Sequence, residues 1–299
     1  MSTDDVRRIG APRSLQSRRH AGELHRIRRD AYIDRETWAA LDPAGRHLAR
    51  MRAVAASART EPLFSHESAA IAWGIPLVGV SLARVHVEVP AESAARSRGD
   101  VVRHRREHRH GASQRARGLR VTSRIETLLD LAADRPHPVA VVAADHLLAA
   151  APDPDALRAV ILEEIEGRRP FRGARPAEAA LRQATGLAES PLESLCMVRF
   201  AELGITMPEQ QVEFLLDDGE RGRVDFFWRR EGVVLEADGW RKLEDPELLA
   251  GRMPAEALRD EKRREDAIRR RCRTFVRVEW DDVWHGHGLR RKLENTGLI

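Results

Sequence analysis

Apolar residues recur along the chain at two spacings, about 3.6 residues and two residues, and the switches between them delimit the expected elements. SLQSRRHAGEL, from residue 14, is compatible with a short helix, and LHRIRRDAYI, from residue 24, alternates apolar and basic positions like a two-stranded ribbon. Residues 43–59 form an amphipathic helical pattern with Pro43 at its start. Ser65 is placed to cap a second helix, SHESAAIAWGI, which Pro76 ends. In the following stretch Val85, Val87 and Val89 alternate with Arg84, His86 and Glu88, the pattern of a half-buried strand. VVRHRR (101–106) and LRVT (119–122) read as two more strands, and three helical patterns follow: SRIETLLDLAAD, VAVVAADHLLAAA and PDPDALRAVILEEIE.

Residues 167–176, GRRPFRGARP, are rich in Gly, Pro and Arg and read as a linker. Beyond them comes a short helix, PAEAALRQATG, then SPLESLCMVRFAELG with Ser190 as N-cap, Pro191 in the first turn and Gly204 at the C-cap. QQVEFLL, RGRVDFFW and EGVVLEADG are three strands whose short connections predict an antiparallel meander. A helix over about 255–271 and a last strand, TFVRVEW, complete the pattern. The expected class is α/β (α+β). The expected organisation is 1–60, 61–166, the linker 167–176, and a C-terminal domain at 177–299.

The composition permits packed cores, with 42% hydrophobic and 33% charged residues. No apolar run approaches the ~18–20 residues of a membrane-spanning helix. The start of the chain lacks the apolar core of a secretory signal, so a cytoplasmic protein without a membrane partner is expected. Cys196 and Cys272 lack metal-ligand spacing and read as reduced thiols. The net charge is only +4, but arginines gather in residues 7–29, with Arg26 and Arg28, and in residues 96–124, with Arg105. Such clusters either attract nucleic-acid phosphates or form a solvated surface. His66 reads as a helix-start packing residue, Asp130 and Asp145 as satisfied core polar groups, and Trp38 and Trp73 as core.

Asp225 and Glu236 stand in adjacent strands that are otherwise apolar. A carboxylate in such a strand costs several kcal/mol unless it is paired or binds a cation. Asp238 lies two residues beyond Glu236 on the same face, and Glu193 on the preceding helix offers a further oxygen. An oxygen-only set suits Mg²⁺ or Mn²⁺. The alternative is that these acids pair with Arg223, Lys242 or the basic run at 262–264.

The order of these pieces resembles the PD-(D/E)xK nuclease superfamily, and more narrowly the DUF559 group related to very-short-patch repair endonucleases. The carriers are Glu193-Ser194, Gln211, Arg223-Val224-Asp225-Phe226, Glu236-Ala237-Asp238-Gly239, Lys242, the 261–266 run and Val276-Arg277-Val278. The resemblance implies metal held by Asp225 and Glu236 with Glu193 as an outer ligand, and Gln211 near water or phosphate. It also implies DNA contact by Arg263 and Arg277. The superfamily's lysine position is occupied by Asp238, so Lys242 is the candidate to orient the attacking water. Residues 20–150 resemble the AbiEi-type antitoxin family, on LHRIRRDAYI, LFSHESAAIAWGIPL, VHVEVP, LRVTSRIETLLDLAA and VAVVAADHLLAAA. That resemblance implies a partial winged helix, an α/β module, and contact with DNA or a toxin-like protein. A metal-dependent DNA endonuclease in host defence or DNA repair is therefore expected, with a non-enzymatic regulator or antitoxin-like partner binder as the alternative.

Overall fold

The two spacings of the sequence resolve into a mixed arrangement of helices and strands, seen in a computed structural model that describes residues 12–106, 112–216, 219, 221–238 and 254–299. Helix α1 (Pro12–His20) leads into β1 (Leu24–Arg28), β2 (Ala31–Asp34), α2 (Arg35–Ala40) and α3 (Pro43–Ser57). Next come β3 (Leu63–Phe64), α4 (His66–Trp73), β4 (Val85–Pro90), β5 (Val101–Arg106), β6 (Gln114–Ala116) and β7 (Leu119–Val121). Helices α5 (Arg124–Asp134), α6 (His137–Ala149), α7 (Pro154–Gly167), α8 (Ala174–Gln183) and α9 (Pro191–Glu202) follow. The chain ends with β8 (Glu209–Leu215), β9 (Arg221–Trp228), β10 (Val233–Ala237), α10 (Pro254–Arg269), β11 (Thr274–Val278), α11 (Trp280–Trp284) and α12 (His287–Leu293). The chain divides into two units, 1–143 with 161–178 and 144–160 with 179–299, so the division falls within α6, α7 and α8. Among the described residues, no helix is long and apolar enough to cross a membrane.

In the first unit, β1 and β2 pair as the expected hairpin. A five-stranded sheet has the order β5-β4-β3-β7-β6, with β4–β5 and β3–β7 parallel. Two of its strands, β3 and β6, are too short for an alternation to be visible in the sequence. Leu48, Met51, Phe64, Val85, Val87 and Val121 form its core with α3 and α4. Asp42 caps α3 by accepting the Gly45 N–H at 2.7 Å. Ser65 does not cap α4 with its side chain, and α4 ends at Gly74 (φ 78°), whose missing Cβ permits the left-handed turn, before Pro76 is reached. The 167–176 stretch is no free spacer. Gly167 belongs to α7, Ala174–Pro176 begin α8, and Gly173 lies so close to Ala133 that a Cβ there would stand 2.7 Å from it. Buried Arg168 is anchored by Glu126 and Glu164.

In the second unit, the meander β8–β9–β10 is antiparallel as expected, and β11 joins β10 in parallel, giving the order β11-β10-β9-β8. Two apolar layers sandwich this sheet. Phe226, Trp228, Val233, Leu235 and Val276 pack with Leu192, Leu195 and Phe200 of α9. Val212, Val224, Phe227, Val234 and Phe275 pack with Ala267 and Ile268 of α10. A Cβ at Gly222 would press on Leu216 Cδ2 at 3.1 Å and touch Arg264 and Ile268 of α10 at ordinary contact distance. Phe226 is fully buried and meets Phe200 edge-to-face with ring centroids 5.2 Å apart. Phe226→Ala is expected to cost ~3–5 kcal/mol through the cavity it leaves, read as a lower urea midpoint at unchanged slope.

Candidate functional site

Ser190 and Pro191 set the start of α9, with Ser190 Oγ accepting the Glu193 N–H at 3.2 Å. The same turn buries Glu193, whose carboxylate accepts from Glu189 N (2.9 Å), Ser190 Oγ (2.7 Å) and Gln211 Nε2 (2.8 Å). Burial, and then the negative charge of Asp225, push the Glu193 carboxyl above the usual carboxylate range. Gln211 has φ +54°, a left-handed backbone unusual for a non-glycine residue within a strand. Its Oε1 is buried and accepts no hydrogen bond from a described residue.

Pairing of Gln210 with Phe226 and of Val212 with Val224 sets Gln211 level with Asp225. The β9–β10 ladder runs as far as Leu235 with Phe226. At the next rung the Asp225 carboxylate accepts the Ala237 N–H at 2.8 Å. The inward face of β9 also changes here, since Val224 packs toward α10 and Phe226 toward α9. Asp225 therefore sits at the point where the sheet opens, with Glu193 on the α9 side.

Glu236 alternates with Leu235 and Ala237 and lies on the α10 side, 7% exposed. Arg264 holds Glu236 Oε1 at 2.7 Å, and Arg277, its neighbour in the parallel register, approaches Oε2 at 3.3 Å. Arg277 also pairs with Glu265 (2.9 Å) and Asp238 (3.4 Å). Pairing with the 262–264 basic run, the alternative weighed from sequence, is thus realised for Glu236 through Arg264, while Arg223 pairs with Glu189 at 2.6 Å. Glu193, Asp225 and Glu236 do not gather within mutual ligand distance. Among the described residues, the one group of three or more potential ligands that does so is His66, His104 and Asp134.

The remaining expected contacts are dispersed. Lys242 lies outside the described residues. Arg263 is exposed on α10, and Arg277 is half-buried among its acids. Arg26 is exposed on β1, whereas Arg28 approaches Asp100 at 3.7 Å. Arg105 is exposed on β5 and lines a cleft of about 480 Å³ in the first unit. Asp145 is a satisfied core group, accepting the Thr185 and Gly186 N–H groups at 2.7 and 2.8 Å. Trp73 packs on the first unit's core and donates to Thr122 O at 2.9 Å.

That cleft holds what sequence reasoning missed. His66 begins α4 with φ +50°, His104 lies on β5, and Asp134 ends α5. The two imidazoles stack with centroids 3.6 Å apart and 17° between planes. His66 Nε2 lies 3.1 Å from Asp134 Oδ2, and His104 Nδ1 lies 3.8 Å from the same oxygen. Burial holds His104 down at about 3 and His86 at about 4, so both rings are neutral near pH 7. The His66 hydrogen bond lowers Asp134 to about 2. The one signal in the sequence was the histidine inside each of two apolar-basic strands, His86 and His104. Their partners lie too far along the chain to be linked by spacing.

In comparison with known proteins, no family model matches the chain and no characterised protein matches its sequence.

Proposed function

We propose that the second unit is a metal-dependent phosphodiesterase acting on DNA, built on Asp225, Glu236 and Glu193. The observation that carries this reading is the helix–three strands–helix–strand unit with Asp225 at the opening between β9 and β10, beside a like-charged buried Glu193. Two carboxylates placed so that one raises the other favour a cation between them. The donor set is oxygen-only, and the unsatisfied Gln211 Oε1 adds a further oxygen, which fits Mg²⁺ or Mn²⁺. Asp225 and Glu193 would hold the ion with Gln211 supporting it, and Glu236, on the α10 side, would join only by leaving a guanidinium partner. A bound ion there supplies Lewis acidity toward a phosphodiester and lowers the pKa of a coordinated water. For Glu236 to join, its longer contact, to Arg277, is the one to exchange. Arg277 would then keep Glu265 and Asp238 as its partners. The exposed arginines of the first unit, Arg26 and Arg105, offer positive charge of their own to a DNA backbone.

A second reading, a DNA- or partner-binding regulator without hydrolysis, is favoured by the two guanidinium groups on Glu236 and by Asp238 at the superfamily's lysine position. Plasmid cleavage separates the two. The full chain with Mg²⁺ or Mn²⁺ is expected to nick supercoiled DNA, EDTA to stop it, and Glu236→Gln to slow it by roughly a hundredfold or more. Equal behaviour of wild type and Glu236→Gln, with EDTA or without, rejects the enzymatic reading.

A further inference from the structure

We propose that His66, His104 and Asp134 form a binding site for a divalent transition-metal ion of the zinc class, separate from the carboxylates of the second unit. The distances are near what such an ion needs, and the stacked rings would turn so that their in-plane lone pairs converge on it. Bonds of ~2.0–2.1 Å in a tetrahedral arrangement put ligand atoms roughly 3.3 Å apart. The distances from Asp134 Oδ2 to His66 Nε2 and His104 Nδ1, 3.1 and 3.8 Å, bracket that value, and all three ligand atoms lie within 4.8 Å of one another. Two imidazoles and one carboxylate suit zinc, cobalt, nickel or iron rather than Mg²⁺.

The groups behind the ligands carry the argument further. A metal-binding histidine normally has its other ring nitrogen held by a polar partner, which fixes the tautomer and the ring plane. Here His104 Nε2 lies 2.9 Å from His86 Nδ1, the same nitrogen that stands 3.4 Å from buried Glu67. His66 Nδ1 lies 3.1 Å from Ser65 Oγ and 3.6 Å from Asp130 Oδ2. That Asp130 oxygen is buried and accepts no hydrogen bond from a described residue, although the side chain is only 2% exposed. It is a carboxylate aimed at the back of the His66 ring. Arg172 takes the other oxygen of Asp134 at 3.0 Å, which leaves Oδ2 to the centre.

Three protein ligands leave a coordination position open. His66, His104 and Asp134 all line the 480 Å³ cleft, whose walls also carry five arginines, among them Arg103 and Arg105, against the two further acids Glu126 and Asp130. An anion or a water completing the shell would therefore meet positive charge. The left-handed backbone of His66 belongs to the same arrangement. Of the four described non-glycine residues with positive φ, Asp30 and Arg117 lie in hairpin turns, whereas His66 sits at a helix start with its ring fixed against His104. Strain of that kind persists where the surroundings over-determine it.

The test uses the full chain, stripped with EDTA and titrated with Co²⁺ and Zn²⁺. One intensely absorbing four- or five-coordinate Co²⁺ per chain is expected, bleached by Zn²⁺, whereas Co²⁺ on the oxygen donors of the second unit would be six-coordinate and nearly colourless. Zn²⁺ should also raise the melting temperature. His104→Ala and Asp134→Asn should each weaken binding by more than the roughly 10–100-fold that loss of an orienting partner costs, and should abolish the thermal shift. Glu236→Gln should keep the intense Co²⁺ absorption, whether or not the protein cleaves DNA. The site is refuted if wild type gives neither Co²⁺ absorption nor a Zn²⁺-dependent shift, or if both variants keep wild-type affinity. It is equally refuted if Glu236→Gln alone loses that absorption. Should His104→Ala fail to fold, Asp134→Asn decides alone, since its amide keeps the size of the side chain and an oxygen for His66.

Discussion

Arg106→Ala is expected to be the most destabilising single change in the first unit, at about 3–5 kcal/mol. Arg106 runs along the end of β5 and touches three carboxylates at once: Glu88 at 3.3 Å, and Glu126 and Asp130 at closer range. Their side chains are 6%, 2% and 2% exposed, so none can recover its solvation when the guanidinium is removed. Arg168 reaches Glu126 at 2.6 Å, but it does not replace the cation at Asp130 or Glu88. A domain's whole stability is about 5–15 kcal/mol, so a loss of this size leaves the unit near its unfolding threshold. Adding Glu88→Gln, Glu126→Gln and Asp130→Asn to Arg106→Met should restore much of it, because the neutralised cluster no longer buries the carboxylates that Arg106 faced. Denaturant midpoints of the single and combined variants measure this, with strong non-additivity as the signature. Additive effects would mean that Arg106 acts only through its aliphatic stem.

This network also shows where the sequence is legible and where it is not. The helices and most strands follow from local periodicity, which depends on neighbours within about two turns or a few strand residues. Residues 209–237 alternate clearly enough to reveal the meander, and Asp225 and Glu236 stand out because each interrupts an apolar run. What those carboxylates meet is another matter. Arg264 reaches Glu236 from α10, and Arg277 reaches it from a parallel strand beyond that helix. One arginine among dozens cannot be chosen as a partner before the crossover is known. The 167–176 stretch, expected as a linker, shows a related limit. Gly, Pro and Arg signal turns, but Arg168 is buried because Glu126 needs a cation, a demand that arises far away in the chain. His66, His86, His104 and Asp134 are the extreme case, since four separate elements deliver them and no short spacing connects any two.

Asp225→Asn is expected to separate function from stability in the second unit. The variant should lose metal-dependent cleavage by roughly 10²–10⁴-fold, since several kcal/mol of transition-state stabilisation depend on the ion that Asp225 would hold. Stability should move the other way. An asparagine Oδ1 can still accept the Ala237 N–H, so the join at the opening of the sheet survives. Meanwhile the negative charge that, after burial, pushes Glu193 upward disappears. A carboxyl whose folded pKa is raised binds its proton more readily in the folded state. Its ionised form therefore penalises folding in full at pH above that raised value, and the penalty fades as pH falls from there to the ordinary carboxylate range. Asp225→Asn should accordingly melt at or above the wild-type temperature near pH 7. The advantage should shrink as acidification protonates Glu193 in wild type. Mg²⁺ should reverse the ranking near neutral pH, because it neutralises the like charges of wild type and finds a weaker site in the variant. Thermal melts across pH, with and without Mg²⁺, read all three effects. A variant less stable than wild type in metal-free buffer near pH 7 would make Asp225 a structural tie of the sheet rather than one pole of an ion site.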